Sequence, residues 1–183
     1  NFLQRMSGIA ATTAKFVQEL AGTECKILDT RKTTPLLRIL ERQAVRDGGG
    51  MNHRYNLSDQ VLIKDNHIAA VGSIAKAVEM VRKAVGKSMK IEVEVETKEE
   101  FLEALGTSVD IIMFDNMDNE LMKELIEINN HNKKIEASGN MELKRVRSVA
   151  LLGVDYISVG ALTHSYKSLD ISLKFYKNFP RSK

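Results

Sequence analysis

Arg31, Lys32, His53, Arg54 and Lys64, with Arg38 close behind the first pair, put an unusual amount of positive charge into short turn-like stretches of the chain. A guanidinium fork matches a carboxylate bidentately, whereas a lysine ammonium is a mobile point charge suited to phosphate. Charges kept only for solubility have no reason to collect at turns, so this set describes a site for a multiply acidic ligand. Glu94 and Asp115 oppose it. Two carboxylates beside a phosphate-bearing ligand suit Mg²⁺, which commonly takes one or two protein carboxylates and leaves its other positions to phosphate and water. Glu94 could equally pair with Lys64 or Arg54 to neutralise the interior, and the two roles are compatible. Ser138, Gly139 and Gly160 are small enough for backbone amides to approach a phosphate. Gly48, Gly49 and Gly50 read as a flexible loop carrying His53 and Arg54.

These residues need a frame. Six short β-rich runs, CKILD, VLIKD, KIEVEVE, DIIMFD, KIEAS and DYISVG, alternate with stretches whose apolar residues recur every three or four positions. Residues 1–22 open the chain as a helix, Gly86, Gly106 and Gly153 stand where later helices should stop, and 166–183 reads as a tail. Strand followed by helix, repeated, specifies a parallel sheet, either open and doubly wound or curled into a barrel. KIEVEVE favours the barrel. Glu92, Glu94 and Glu96 would be costly under helices on either face of an open sheet, but in a barrel they turn toward the axis while Ile91, Val93 and Val95 meet the helices. An edge strand with a solvated glutamate face is the plainer alternative. In a barrel the chemistry belongs at the C-terminal strand ends, and there lie Thr30 to Lys32, Lys64 to His67, Asp115 and Asn116, Ser138 and Gly139, and Gly160.

Composition narrows the classes. With 183 residues and 43% apolar content, the chain can fill one sizeable core, so residues 1–183 are read as one catalytic barrel domain. A net charge of +3 is too small for a nucleic-acid stripe. A basic RNA-binding module, suggested by the pI of about 8.9, is opposed by the 5% aromatic content available to stack bases. Cys25 is the only cysteine, which fits a reducing cytoplasm, and no apolar run is long enough to span a bilayer. Neither nucleic acid nor membrane is expected as a partner.

Several longer motifs then carry a resemblance: DTRKTTPLLR at 29–38, GGGMNHRYNLSDQVLIKDNH at 48–67, EVEVE at 92–96, FDNM at 114–117, EASGN at 136–140 and GVDYISVGALTHS at 153–165. In order and content they resemble the quinolinate phosphoribosyltransferases, and the opening NFLQRMSGIAATTAKFV is similar as well. The resemblance implies an incomplete TIM-like α/β barrel of about six strands that transfers phosphoribose from phosphoribosyl pyrophosphate to quinolinate in NAD biosynthesis. Decarboxylation would give nicotinate mononucleotide, pyrophosphate and CO₂, with Mg²⁺ required. It implies Lys32, Lys64, Glu94 and Asp115 as the catalytic set, Glu94 and Asp115 also serving the metal. Arg31, His53, Arg54 and Lys64 would hold quinolinate, and Ser138, Gly139, Gly160 and His164 the phosphate end. The family usually has glycine where this chain has Leu36, and often where it has Asn140. It also implies a smaller N-terminal α/β sandwich domain, which reaches the site from the partner subunit of a homodimer (or higher oligomer) and brings a further arginine. Residues 1–183 show no such domain, so weak or absent turnover is expected of this segment alone. A related phosphoribosyltransferase-like protein associated with molybdenum transport looks similar and would use another acceptor.

Overall fold

The computed structural model describes residues 1–175. Along the chain run α1 (Phe2–Glu19), β1 (Lys26–Leu28), α2 (Arg38–Asp47), β2 (Val61–Ile63), α3 (Asp65–Val71), α4 (Ile74–Val85), β3 (Ile91–Val95), α5 (Lys98–Leu105), β4 (Ile111–Asp115), α6 (Asn119–Asn129), β5 (Lys134–Ser138), α7 (Leu143–Ala150), β6 (Tyr156–Ser158) and α8 (Ala161–His164). Residues 166–175 have no regular structure but lie along α1, where the Leu169 amide donates to the Gln4 carbonyl. The rest of the expected tail, 176–183, lies outside the described residues.

The strands pair in parallel in the order β1-β6-β5-β4-β3-β2. Apart from the gap between β1 and β2 this is simply chain order taken around a circle, with no reversal of the kind that marks a doubly wound sheet. The gap is partly filled, because Met51 makes a parallel bridge to Leu28, exchanging hydrogen bonds with Ile27 and Asp29. The fold is an α/β barrel left open beside β2.

The two faces of the sheet divide by period-two alternation. Ile27, Ile63, Ile91, Val93, Val95, Ile112, Phe114, Ile135, Ala137 and Ile157 join one continuous core with the helices, including Phe101 of α5, whose ring lies 5.7 Å from that of Phe114. Burying each such large side chain is worth about 1.5–3 kcal/mol. The other face carries Glu92, Glu94, Met113, Asp115, Glu136, Ser138 and Ser158, in agreement with the inward turn expected of KIEVEVE. Glu96 departs from that expectation. It lies beyond β3 and is exposed, and its amide donates to Glu100 at the start of α5.

The triple glycine also behaves differently from a loose loop. A Cβ on Gly48 would stand 2.4 Å from the Ala10 carbonyl oxygen, and one on Gly50 would stand 2.8 Å from the Thr13 methyl. These glycines let the chain pass tightly beneath α1 and deliver Met51 to the sheet.

Candidate active site

A cavity of about 790 Å³ opens at the C-terminal ends of the strands. Its wall includes Arg31 and Lys32 after β1, His53 and Arg54 after the Met51 bridge, Lys64 after β2, Glu94, Asp115, Ser138 and Gly139, and Gly160 and His164 after β6. Side chains from both edges of the open sheet meet here because the sheet curls. Arg38 does not reach the cavity wall; it braces the loop below, donating to Thr33 Oγ1 at 3.0 Å and to the Arg31 carbonyl at 3.3 Å. His67 is exposed, and its Nδ1 accepts the Lys64 amide at 2.9 Å to close the start of α3.

Positive charge is crowded on one side. Burial, followed by repulsion from Arg31, pulls the Arg54 guanidinium below its usual range. Arg31 Nε is buried with no hydrogen-bond partner among the described residues. A buried orphan donor costs roughly 1–3 kcal/mol, so an anionic group placed there would satisfy Arg31 and relieve the repulsion together. Lys64 Nζ and Glu94 Oε2 form an ion pair across the neighbouring strands. The neutralising role for Glu94 is therefore present.

Asp115 accepts a hydrogen bond from Asn116 Nδ2 at 3.0 Å, and Asn116 Oδ1 in turn accepts one from Asn140 Nδ2 at 2.9 Å. Asn116 and Asn140 both adopt left-handed backbone, with φ of 54° and 48°. That conformation is one asparagine tolerates. Gly139 has φ of 84°, and a Cβ there would stand 2.3 Å from Asn116 Oδ1, so the turn after β5 packs against the turn after β4 only because this residue is glycine.

Beneath the cations lies a cluster that sequence reasoning left unassigned apart from His53. His53 Nε2 stands 3.0 Å from Glu92 Oε2 and 3.4 Å from Glu136 Oε2, and both carboxylates are fully buried. Gln60 Nε2 also donates to Glu92 at 2.8 Å. Burial opposes a charge on His53, but the hydrogen bonds to Glu136 and Glu92 outweigh it and push the imidazole up to about 10. Burial, with repulsion from Glu136 next, pushes Glu92 up to about 7. The shared consequence is that the cluster keeps one more proton than its members would hold apart. The Arg54 amide lies 2.7 Å from His53 Nδ1, and Nε2 faces both carboxylates. One imidazole and two carboxylates would suit a metal ion. Against that, Nε2 is already engaged as a hydrogen-bond donor to the two carboxylates rather than being a free ligand atom.

Glu136 was findable: in KIEAS it alternates with Ile135 and Ala137 as Glu92 and Glu94 do with their neighbours. Asp29 and Arg42, which anchor the segment carrying His53 and Arg54, gave no such signal. A buried arginine in an amphipathic helix looks like any other polar position in the sequence.

An open α/β barrel with a cationic mouth and small-residue turns after its last strands is the class of fold that these residues define. Within it, residues 9–174 match the family model described as quinolinate phosphoribosyl transferase, C-terminal domain, and the chain belongs to that family. It is 50% identical over 173 residues to a Bacillus subtilis protein named probable nicotinate-nucleotide pyrophosphorylase (carboxylating), covering 94% of this chain and 60% of that one. It is 45% identical to the Synechocystis protein of the same name, covering 97% of this chain and 61% of that one. The crystal structure of NadC from Streptococcus pyogenes superposes with a TM-score of 0.92 at 49% identity, over 96% of this chain and 61% of that one. The chain thus spans about 60% of the length of these relatives.

Proposed function

We propose that the protein transfers phosphoribose from phosphoribosyl pyrophosphate to quinolinate and releases CO₂, forming nicotinate mononucleotide for NAD biosynthesis. The observation that carries this reading is the division of one cavity into a cationic wall, with a buried unpartnered Arg31 Nε, and a carboxylate wall of Glu94 and Asp115. The names of the relatives support a pyridine acceptor over the molybdenum-transport alternative.

Arg31, Arg54 and Lys64 hold the two ring carboxylates, with His53 beneath them. The ring nitrogen attacks the anomeric carbon as the bond to pyrophosphate breaks, its electron pair leaving with pyrophosphate. Positive charge gathers on the ribose in the transition state, and Glu94 and Asp115 stabilise it electrostatically. Lys32, between the two substrates, steadies the leaving group, while Ser138, Gly139, Gly160 and His164 hold the phosphate end. In the second step the bond from ring C2 to its carboxylate breaks, the pair stays on C2 beside the now cationic nitrogen, and C2 takes up a proton.

The oxygen donors of Glu94 and Asp115 suit Mg²⁺, although Glu94 Oε2 already faces Lys64. When bound, the ion would neutralise charge developing on pyrophosphate. We further place the protein in the cytoplasm, supported by its single buried cysteine, and expect a homodimer in which the partner subunit completes the site. No helix among the described residues is long and apolar enough to cross a membrane.

The test is turnover of quinolinate labelled in its 2-carboxylate, with phosphoribosyl pyrophosphate and Mg²⁺, by a form that includes the expected N-terminal domain. Labelled CO₂ and nicotinate mononucleotide should appear in equal amounts, and Asp115→Ala should lower kcat by about 10²–10³. Unchanged turnover in that variant would refute the assigned role.

A further inference from the structure

Residues 52–54 carry two of the cationic wall's side chains, yet they belong to no helix or strand. A buried network holds them instead. Asp29, fully buried at the end of β1, accepts the His53 amide at 2.8 Å and Asn52 Nδ2 at 2.6 Å. Arg42 of α2 pairs with the same carboxylate at 3.3 Å. Its guanidinium also donates to the carbonyls of His53 at 2.7 Å and Arg54 at 3.1 Å. It lies over the Tyr55 ring, 5.3 Å from the centroid. The fork is therefore spent on backbone and on Asp29, and none of it is directed at the cavity.

Asp29 stands two residues before Arg31 on the same strand end. Asp29, directly and through its ion pair with Arg42, thus ties the backbone that carries Arg31 to the backbone that carries Arg54. We propose that Asp29 and Arg42 are positioning residues that set the spacing between the Arg31 and Arg54 guanidiniums, and so select a ligand whose two acid groups sit on adjacent ring carbons. Neither residue touches substrate. The proposal rests on the functional reading above, since it explains why a vicinal dicarboxylate would be preferred to isomers with the same charge.

Lysine at position 42 keeps the charge opposite Asp29 but lacks the planar fork that reaches both carbonyls. In Arg42→Lys, the equilibrium dissociation constant for quinolinate should rise on the order of tenfold, the effect of losing one charge-assisted hydrogen bond. The constants for the 2,6-dicarboxylate isomer and for phosphoribosyl pyrophosphate should stay within about twofold. Hydrogen exchange should accelerate at the amides of 53 and 54 while the strands keep their protection. Asn52→Ala, which removes a partly exposed member of the same network, should shift these readouts in the same direction by less. It serves in place of Arg42→Lys should that variant fail to fold.

A purely structural role would instead lower the melting temperature and leave the ratio of quinolinate to isomer affinity unchanged; that result, or unaltered exchange at 53 and 54, overturns the proposal. Should the unaltered protein show no preference for quinolinate over its isomer, the functional reading fails and the selectivity claim falls with it, whatever exchange shows about the network.

Discussion

Leu36 stands fully exposed with φ of 66°, in the left-handed region that favours glycine. A left-handed backbone costs an L-residue about 1–2 kcal/mol, and an exposed side chain offers no burial to offset it. Glycine would remove that strain while adding roughly 0.4–1 kcal/mol of unfolded-state entropy. Leu36→Gly should therefore stabilise the protein by about 0.5 kcal/mol, read as a rise in Tm of roughly 1–2 °C. Glu92 gives a prediction in pH. Its carboxyl is held up at about 7 by burial first and Glu136 second, against His53, with Gln60 and Arg54 also facing it. An unfolded glutamate titrates near 4.3, so between about pH 4.3 and 7 the folded protein binds the extra proton. Stability should then fall as pH rises through that window. Urea midpoints at about pH 5 and pH 8 should differ in the native protein and differ less in Glu92→Gln; an equal difference in both would contradict the shift. Cys25, its thiol pushed up to about 12 by burial, should resist alkylation until the protein unfolds.

At the scale of elements, the glycine run after α2 decides where the cationic wall stands. Gly48→Ala would force a methyl against the Ala10 carbonyl, which lies in α1 and cannot swing aside. A loss of about 1–3 kcal/mol is expected, together with weaker quinolinate binding, because Met51 and Arg54 follow directly. Thermal melts and equilibrium binding on the one variant would show both effects. The alternation of strand and helix was legible because apolar residues repeat at two positions in the strands and at three or four in the helices. The inward carboxylates were legible for the same reason. The Met51 bridge and the tight seat of Gly48 and Gly50 were not, since each depends on a neighbour distant in sequence. Asp29 with Arg42 joins a strand end to the following helix, and the cluster of His53, Glu92 and Glu136 exists only once the barrel has curled.

For the whole molecule, the curl of the sheet brings β1 and β2, its two edges, to one cavity, and the grouping of its cationic side chains depends on that closure rather than on any single strand. The described tail contributes from outside. Lys167 crosses so close to α1 that a Cβ on Gly8 would stand 2.2 Å from its carbonyl oxygen, and Tyr166 lies against Arg5, 5.0 Å from ring centroid to guanidinium. Both contacts hold α1 over the β1 side of the barrel, where Arg5 pairs with the buried Glu41. In the proposed site two guanidiniums jointly grip two carboxylates, and calorimetric titration with quinolinate and with nicotinate, its analogue bearing one carboxylate, measures that directly. Quinolinate should bind at least about tenfold more tightly, with the advantage lost in Arg54→Ala. Equal affinity for the two acids, or an advantage that survives the loss of Arg54, would contradict it.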